Sequence, residues 1–173
     1  MNSQHHSIQS DSTIGPPRQA VAAHDISQFI SFTIGAESYG VDIMAVREIK
    51  GWSEITRLPE QPDYVRGVLN LRGAIVPIVD LRCRFGQGYT EPSAFHVVII
   101  VQIADQLVGL LADRVSDIVS VDPTTVRPVP NIGHDERLGF LTGIATIENS
   151  MIGIIELSRL LSDSVDHRNT ANA

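Results

Sequence analysis

The residues whose types could do chemistry are six histidines, one cysteine and three closely spaced aspartates. Of His5, His6, His24, His96, His134 and His167, only the first two are neighbours, and no third ligand stands at metal-binding spacing from them. Cys83 could serve as a nucleophile, yet no partnered His or Asp motif accompanies it, and a lone thiol among apolar residues reads as packing. Gly86-Gln87-Gly88 starts like a dinucleotide-binding loop. Glu91 occupies the position of the third glycine, however, and no helical pattern follows, so the stretch reads as a surface turn. Asp113, Asp117 and Asp122 could form an acid–base set, but in a strand-and-turn context they read as a solvated face. No Gly-x-Ser-x-Gly elbow or phosphate loop is present. The chemistry-bearing residues point to a non-catalytic protein with neither cofactor nor metal.

What remains is a surface that other molecules could recognise. The net charge of −7 opposes nucleic acid and anionic membrane as main partners, since both require a basic face. Charge is distributed unevenly. Residues 47–84 carry seven of the thirteen basic residues against five acidic ones, and twelve of the thirteen are arginine. Arginine's planar fork suits protein interfaces better than the strongly hydrated lysine, so a protein partner is expected. The longest aliphatic run, Val97 to Val101, is too short to span a bilayer. The N-terminal stretch has no basic segment followed by an apolar one and reads as a polar flexible tail over residues 1–27 rather than a secretion signal. A single cysteine suits a reducing cytoplasm.

The elements that must position this surface are strands. FISFTI, YGVDI, GVLNL, AIVPIV, FHVVIIVQI, LVGLLA and MIGIIEL are short, rich in β-branched residues and separated by turn-formers. Helix is confined to short pieces: a turn opened by Pro62, and about 157–165, where Leu157, Leu160, Leu161 and Val165 share a face. Two internal matches organise the chain. Ile34–Ile49 matches Ile103–Ile118 at an offset of 69, and Gly67–Leu81 matches Gly143–Leu157 at an offset of 76. The seven extra residues are assigned to the polar loop 131–137. Two copies of one all-β unit result, each of about five strands and a helical turn, sharing a core because each is small.

The repeat sorts the stretch RGVLNLRGAIVPIVDLR, residues 66–82. Gly73 aligns with Asn149, two residue types that accept the left-handed backbone of a tight turn. Pro77 aligns with Gly153, which places that position at a sheet edge or bulge. Arg72 aligns with Glu148, so the hairpin tip does not require arginine and Arg72 is free for recognition.

FISFTIGAESYGVDIMAVREI, VRGVLNLRGAIVPIVDLR, LVGLLADRVSDIVSVDPTTVRPVP and FLTGIATIENSMIGIIELSRLL together resemble the four consecutive blocks of the CheW family of bacterial chemotaxis coupling proteins. The most specific part is NLRG followed by PIVDLR. The resemblance implies two intertwined SH3-like five-stranded barrels over residues 28–165, the first barrel about 28–90, the second about 91–157, then the C-terminal helix about 157–165 and a flexible end at 166–173. It implies an adaptor without catalytic activity, cytoplasmic and recruited to membrane-associated receptor arrays. The implied partners are the cytoplasmic tips of methyl-accepting receptors and the regulatory domain of the histidine kinase CheA. Carried over by motif position, the receptor-facing residues are Val46, Glu48, Arg72, Val98 and Ile118, and the kinase-facing ones Ile55, Arg66 and Gly67. A coupling module of a non-flagellar pathway and a detached kinase regulatory domain remain alternatives. An RNA-binding barrel is opposed by the charge and by having only nine aromatic residues, and a Cys83 hydrolase by the missing motif.

Overall fold

Alternating and continuous apolar runs, each closed by a turn-forming residue, make this chain a sequence of hairpins. The computed structural model describes residues 25–162 apart from 132 and 134; the expected tail and flexible end lie almost wholly outside the described residues. The first half forms β1 (Ser27–Ile34), β2 (Glu37–Asp42), β3 (Val46–Gly51), β4 (Val65–Leu71), β5 (Ala74–Asp80) and the short α1 (Leu81–Arg84). The second half repeats them as β6 (Val97–Ile103), β7 (Gln106–Ala112), β8 (Arg114–Val121), β9 (Leu141–Ile147), β10 (Ser150–Ile155) and α2 (Leu157–Leu160). Five strands and a helical turn per half agree with the sequence repeat. β3, β8 and β9 are strands that the apolar runs alone did not reveal. After Pro62 the chain makes one hydrogen-bonded turn, Val65 N–H donating to the Pro62 carbonyl at 2.9 Å, rather than a helix.

Strand pairing corrects the expected division near residue 90. One five-stranded sheet runs β8-β1-β2-β10-β9 and the other β3-β6-β7-β5-β4, so each draws strands from both halves. The register obeys the repeat: Ile30 faces Ile118 as Ile99 faces Ile49, and Gly40 lies beside Ile154 as Gly109 lies beside Ile78. A physical reason lies in the two parallel pairs, β2 with β10 and β5 with β7, since a parallel partner must come from a distant part of the chain.

Each sheet closes into a barrel through one bridge. Thr56, beyond β3, exchanges two backbone hydrogen bonds with Val68 on β4 at 2.9 and 2.8 Å; Arg127, beyond β8, does the same with Ile144 on β9 at the same distances. Between these bridges the halves differ in length. The offset is 127 − 56 = 71 at the first bridge residue and 144 − 68 = 76 at the second. Two of the seven extra residues therefore enter before the bridge and five after it, where the sequence placed them.

The core has three parts. Leu71, Val76, Ile78, Val98, Ile100 and Leu111 fill one barrel; Val121, Ala145, Ile152 and Ile154 fill the other. Between them lies a larger shared cluster including Ile30, Phe32, Val41, Val79, Ile99, Leu110 and Phe140. On β6 the side chains alternate between barrel interior and shared core, which is why its apolar run is unbroken. Pro77 corrects another expectation. It sits opposite Val68 in an inner strand and just ahead of Ile78, where the parallel ladder begins, so its missing N–H interrupts no partner pair on that side.

Candidate protein-interaction site

β-Bulges set the geometry of the candidate surface. A bulge inserts an extra residue, interrupts the ladder and re-aims the neighbouring side chains. One falls at Arg47 on β3 and its repeat equivalent at Ser116 on β8; another falls at Arg66 on β4 and its equivalent at Thr142 on β9. The backbone device is common to both halves. Only the first half furnishes it with arginine, which gives the charge asymmetry of residues 47–84 a structural location.

Beyond the Arg47 bulge, Glu48 meets Arg72 from the β4–β5 hairpin tip. Arg72 Nη2 donates to Glu48 Oε2 at 2.7 Å, and Lys50 Nζ lies 3.6 Å from Oε1. Arg72 is therefore not free, as its alignment with Glu148 implied, but paired. The pair stays open to solvent, with the Arg72 side chain 74% exposed. The guanidinium holds the Glu48 carboxyl below its ordinary range, chiefly through this hydrogen bond, and Glu48 in turn raises Arg72. An exposed pair contributes little stability and is readily exchanged for another partner. Both tip residues adopt the left-handed backbone, Arg72 at φ 49° and Gly73 at φ 90°; Glu148 and Asn149 do so in the second half at φ 46° and 69°. The turn is thus built alike in both halves with opposite charges at its tip. Among the described residues no cation pairs with Asp117, the equivalent of Glu48; its Oδ1 accepts instead from Ile118 N–H at 2.8 Å.

The other expected residues divide by exposure. Val46 is half-buried two residues before Glu48 on the same strand and packs against the shared core. Ile118, 53% exposed, stands on β8 in the other sheet. Val98 is 2% exposed inside a barrel and presents no surface to a partner. Ile55 is half-buried against that interior. Arg66 turns inward, with its side chain 17% exposed, toward the fully buried Asp80 at 3.6 Å and over the Tyr89 ring. Gly67 is buried, and a Cβ there would fall 2.2 Å from the Thr56 carbonyl oxygen, so glycine is required for barrel closure. Its equivalent Gly143 sits beside the other closing bridge, where a Cβ would meet Arg127 O at 2.8 Å.

The three aspartates do three separate structural jobs. Asp113 ties Arg82 and Gly35 N–H, Asp117 holds Ile118 N–H, and Asp122 caps the turn at Thr124. Ser93, His96 and Asp113 do line up in space, a juxtaposition the sequence did not reveal. His96 Nδ1 lies 3.0 Å from both the Ser93 N–H, from which it accepts, and the Ser93 hydroxyl, which itself accepts from Phe95 N–H, so all three bonds belong to one local turn. Among the described residues no group of three or more His, Cys, Asp and Glu could hold a metal ion. Cys83 is half-buried, and burial pushes its thiol up, away from the reactive thiolate.

A family model described as the CheW-like domain matches residues 28–165. The chain belongs to the CheW family. It is 44% identical over 137 residues to a probable chemotaxis protein CheW of Rhizobium etli, covering 79% of this chain and 88% of that protein. It is 38% identical over 135 residues to the chemotaxis protein CheW of Klebsiella aerogenes, covering 78% and 81%. The crystal structure of the scaffolding protein TtCheW from Thermoanaerobacter tengcongensis superposes with a TM-score of 0.72 at 32% identity, covering 92% of this chain and 94% of that one. The interleaved barrels are therefore those of a CheW-family chemotaxis coupling scaffold.

Proposed function

We propose that this CheW-family chain is a non-catalytic adaptor tying the cytoplasmic tips of methyl-accepting chemotaxis receptors to the regulatory domain of the histidine kinase CheA. It joins membrane-associated arrays through the receptors, since among the described residues no helix is long and apolar enough to cross a membrane. The observation that carries this reading is the Glu48–Arg72 pair. Two elements that barrel closure brings together present a charged, solvent-exposed couple at a tip whose backbone the second half builds without arginine. On this reading Glu48, Arg72, the neighbouring Val46 and, on the other sheet, Ile118 meet the receptor, while the half-buried Ile55 and Arg66 border the kinase. Val98 and Gly67 act behind these surfaces, as barrel filling and as the closure point.

Arg72→Glu tests it. The tip already holds glutamate in the second half, so the melting temperature is expected to stay within a few degrees of the parent. Affinity for a purified receptor tip or the kinase regulatory domain is expected to fall tenfold or more, because reversal removes a charge-assisted bond and adds repulsion. A folded Arg72→Glu protein that binds both partners as the parent does would sink the assignment.

A further inference from the structure

Each half of the chain pairs with itself mainly as hairpins. Within the first half the ladders are β1–β2 and β4–β5, and within the second β6–β7 and β9–β10. Every ladder that joins hairpins into a sheet runs between halves: β1–β8, β2–β10, β3–β6 and β5–β7. Neither half can complete a sheet alone. The shared core is likewise divided, with Phe32 and Val41 from one half packed among Leu110 and Phe140 from the other.

A single covalent connection, from Gly86 to His96, decides which second half a first half meets. Apart from the buried Thr90 its residues are exposed or half-buried. Its two ends are tied, by Gly86 and Gln87 N–H to the Cys83 and Arg82 carbonyls, by Trp52 N–H to the His96 carbonyl and by Arg66 over the Tyr89 ring, while the stretch between Thr90 and His96 bonds only within itself. Thr90 donates from N–H and Oγ1 to Asp80 at 2.8 and 2.7 Å, the Gln87 side chain donates to Glu37 at 3.0 Å, and Ser93 bonds only to Phe95 and His96 within the same segment.

We infer that a second copy of this chain is a partner for either half. When the connection opens, the first half of one molecule completes both sheets with the second half of another, and the reciprocal pair does the same. The strand-exchanged dimer repeats every native ladder and adds none. In the closed monomer the short connection holds the two halves at an effective concentration on the order of millimolar, so the monomer prevails in dilute solution. Refolding in concentrated solution, or shortening the connection, shifts the balance toward exchange.

The test uses the full chain with Cys83→Ser, Gln28→Cys and Ser120→Cys. Gln28 and Ser120 are exposed and directly opposite on β1 and β8, one in each half. The protein is unfolded in denaturant, refolded under reducing conditions at high and at low concentration, oxidised, then analysed by light scattering and a non-reducing gel. Refolding at about millimolar concentration is expected to give dimers that persist on dilution and whose disulfides join two chains; refolding at about micromolar gives monomers with an internal disulfide. Removing Glu91–Ala94, which leaves the Thr90–Asp80 bonds in place, is expected to raise the dimer fraction at a given concentration about tenfold. Monomers at both concentrations overturn the inference, as do dimers whose disulfides lie within each chain, which are joined through their surfaces. Should the shortened chain fail to fold, the full-length triple variant decides alone.

Discussion

At the scale of single residues, the two halves separate what the fold requires from what it leaves open. Gly67 and Gly143 recur because each barrel closes against them, whereas Arg72 and Glu148 occupy the same backbone with opposite charges. Gly67→Ala is expected to cost about 3 kcal/mol or more, because the new Cβ meets a backbone carbonyl and φ is +147°. Gly143→Ala should cost less, about 1–3 kcal/mol, since the carbonyl its Cβ would meet, that of Arg127, lies at 2.8 Å rather than 2.2 Å and the nearer Val126 side chain can shift. Chemical denaturation of the two variants checks the order, and equal costs would remove the distinction. The glycine match was visible in the sequence, but its cause was not, because the clash is with Thr56, whose position only the closed barrel fixes. Val98 was misplaced for a legible reason: the unbroken apolar centre of this strand, Val98 to Val101, is buried on both faces, so its side chains were not available to a partner.

Among elements, the segment after β8 shows how the longer half is fastened. Glu136–Phe140 forms a 3-10 helix whose Arg137 pairs with both Asp135 and Glu37 on β2. Glu37 also accepts from Tyr39 and Gln87. Its carboxyl is held below the ordinary range chiefly by the Tyr39 hydroxyl and then by Arg137, and that of Asp135 chiefly by Arg137. Carboxyls depressed in the folded state contribute stability that is complete above their unfolded values and lost as pH falls through the folded ones. Below about pH 4 this fastening is therefore expected to release, with amide exchange at residues 135–140 rising before that of the barrel strands. Arg137→Ala should remove this early step and show faster exchange there already at neutral pH; unchanged exchange would mean that Leu138 and Phe140 hold the segment by packing alone. The sequence placed all seven inserted residues at 131–137, which suits the five that follow Arg127 but not the two that precede it. The anchor of Arg137 on Glu37 was illegible, being a contact across a hundred residues between two polar side chains.

For the whole molecule, the repeat gave the barrel count, while the intertwining was legible only through the family resemblance: the offsets of 69 and 76 by themselves are equally compatible with two barrels in series and with two interleaved ones. The four ladders between the halves, β1–β8, β2–β10, β3–β6 and β5–β7, decide between them. Because both sheets and the shared core use both halves, the barrels are expected to unfold together, in one calorimetric transition whose van't Hoff and calorimetric enthalpies agree. Two resolved transitions would show that the barrels are energetically separate. Interleaving also bears on how the chain is made. β1 leaves the ribosome with its outer neighbour β8 about eighty residues away, and β2 waits longer still for β10. At 5–20 residues per second the first half spends on the order of ten seconds as hairpins with bare edges. For that interval the nascent chain depends on whatever shields those edges, and a ribosome stalled between β5 and β6 carries a first half that has nothing to close on.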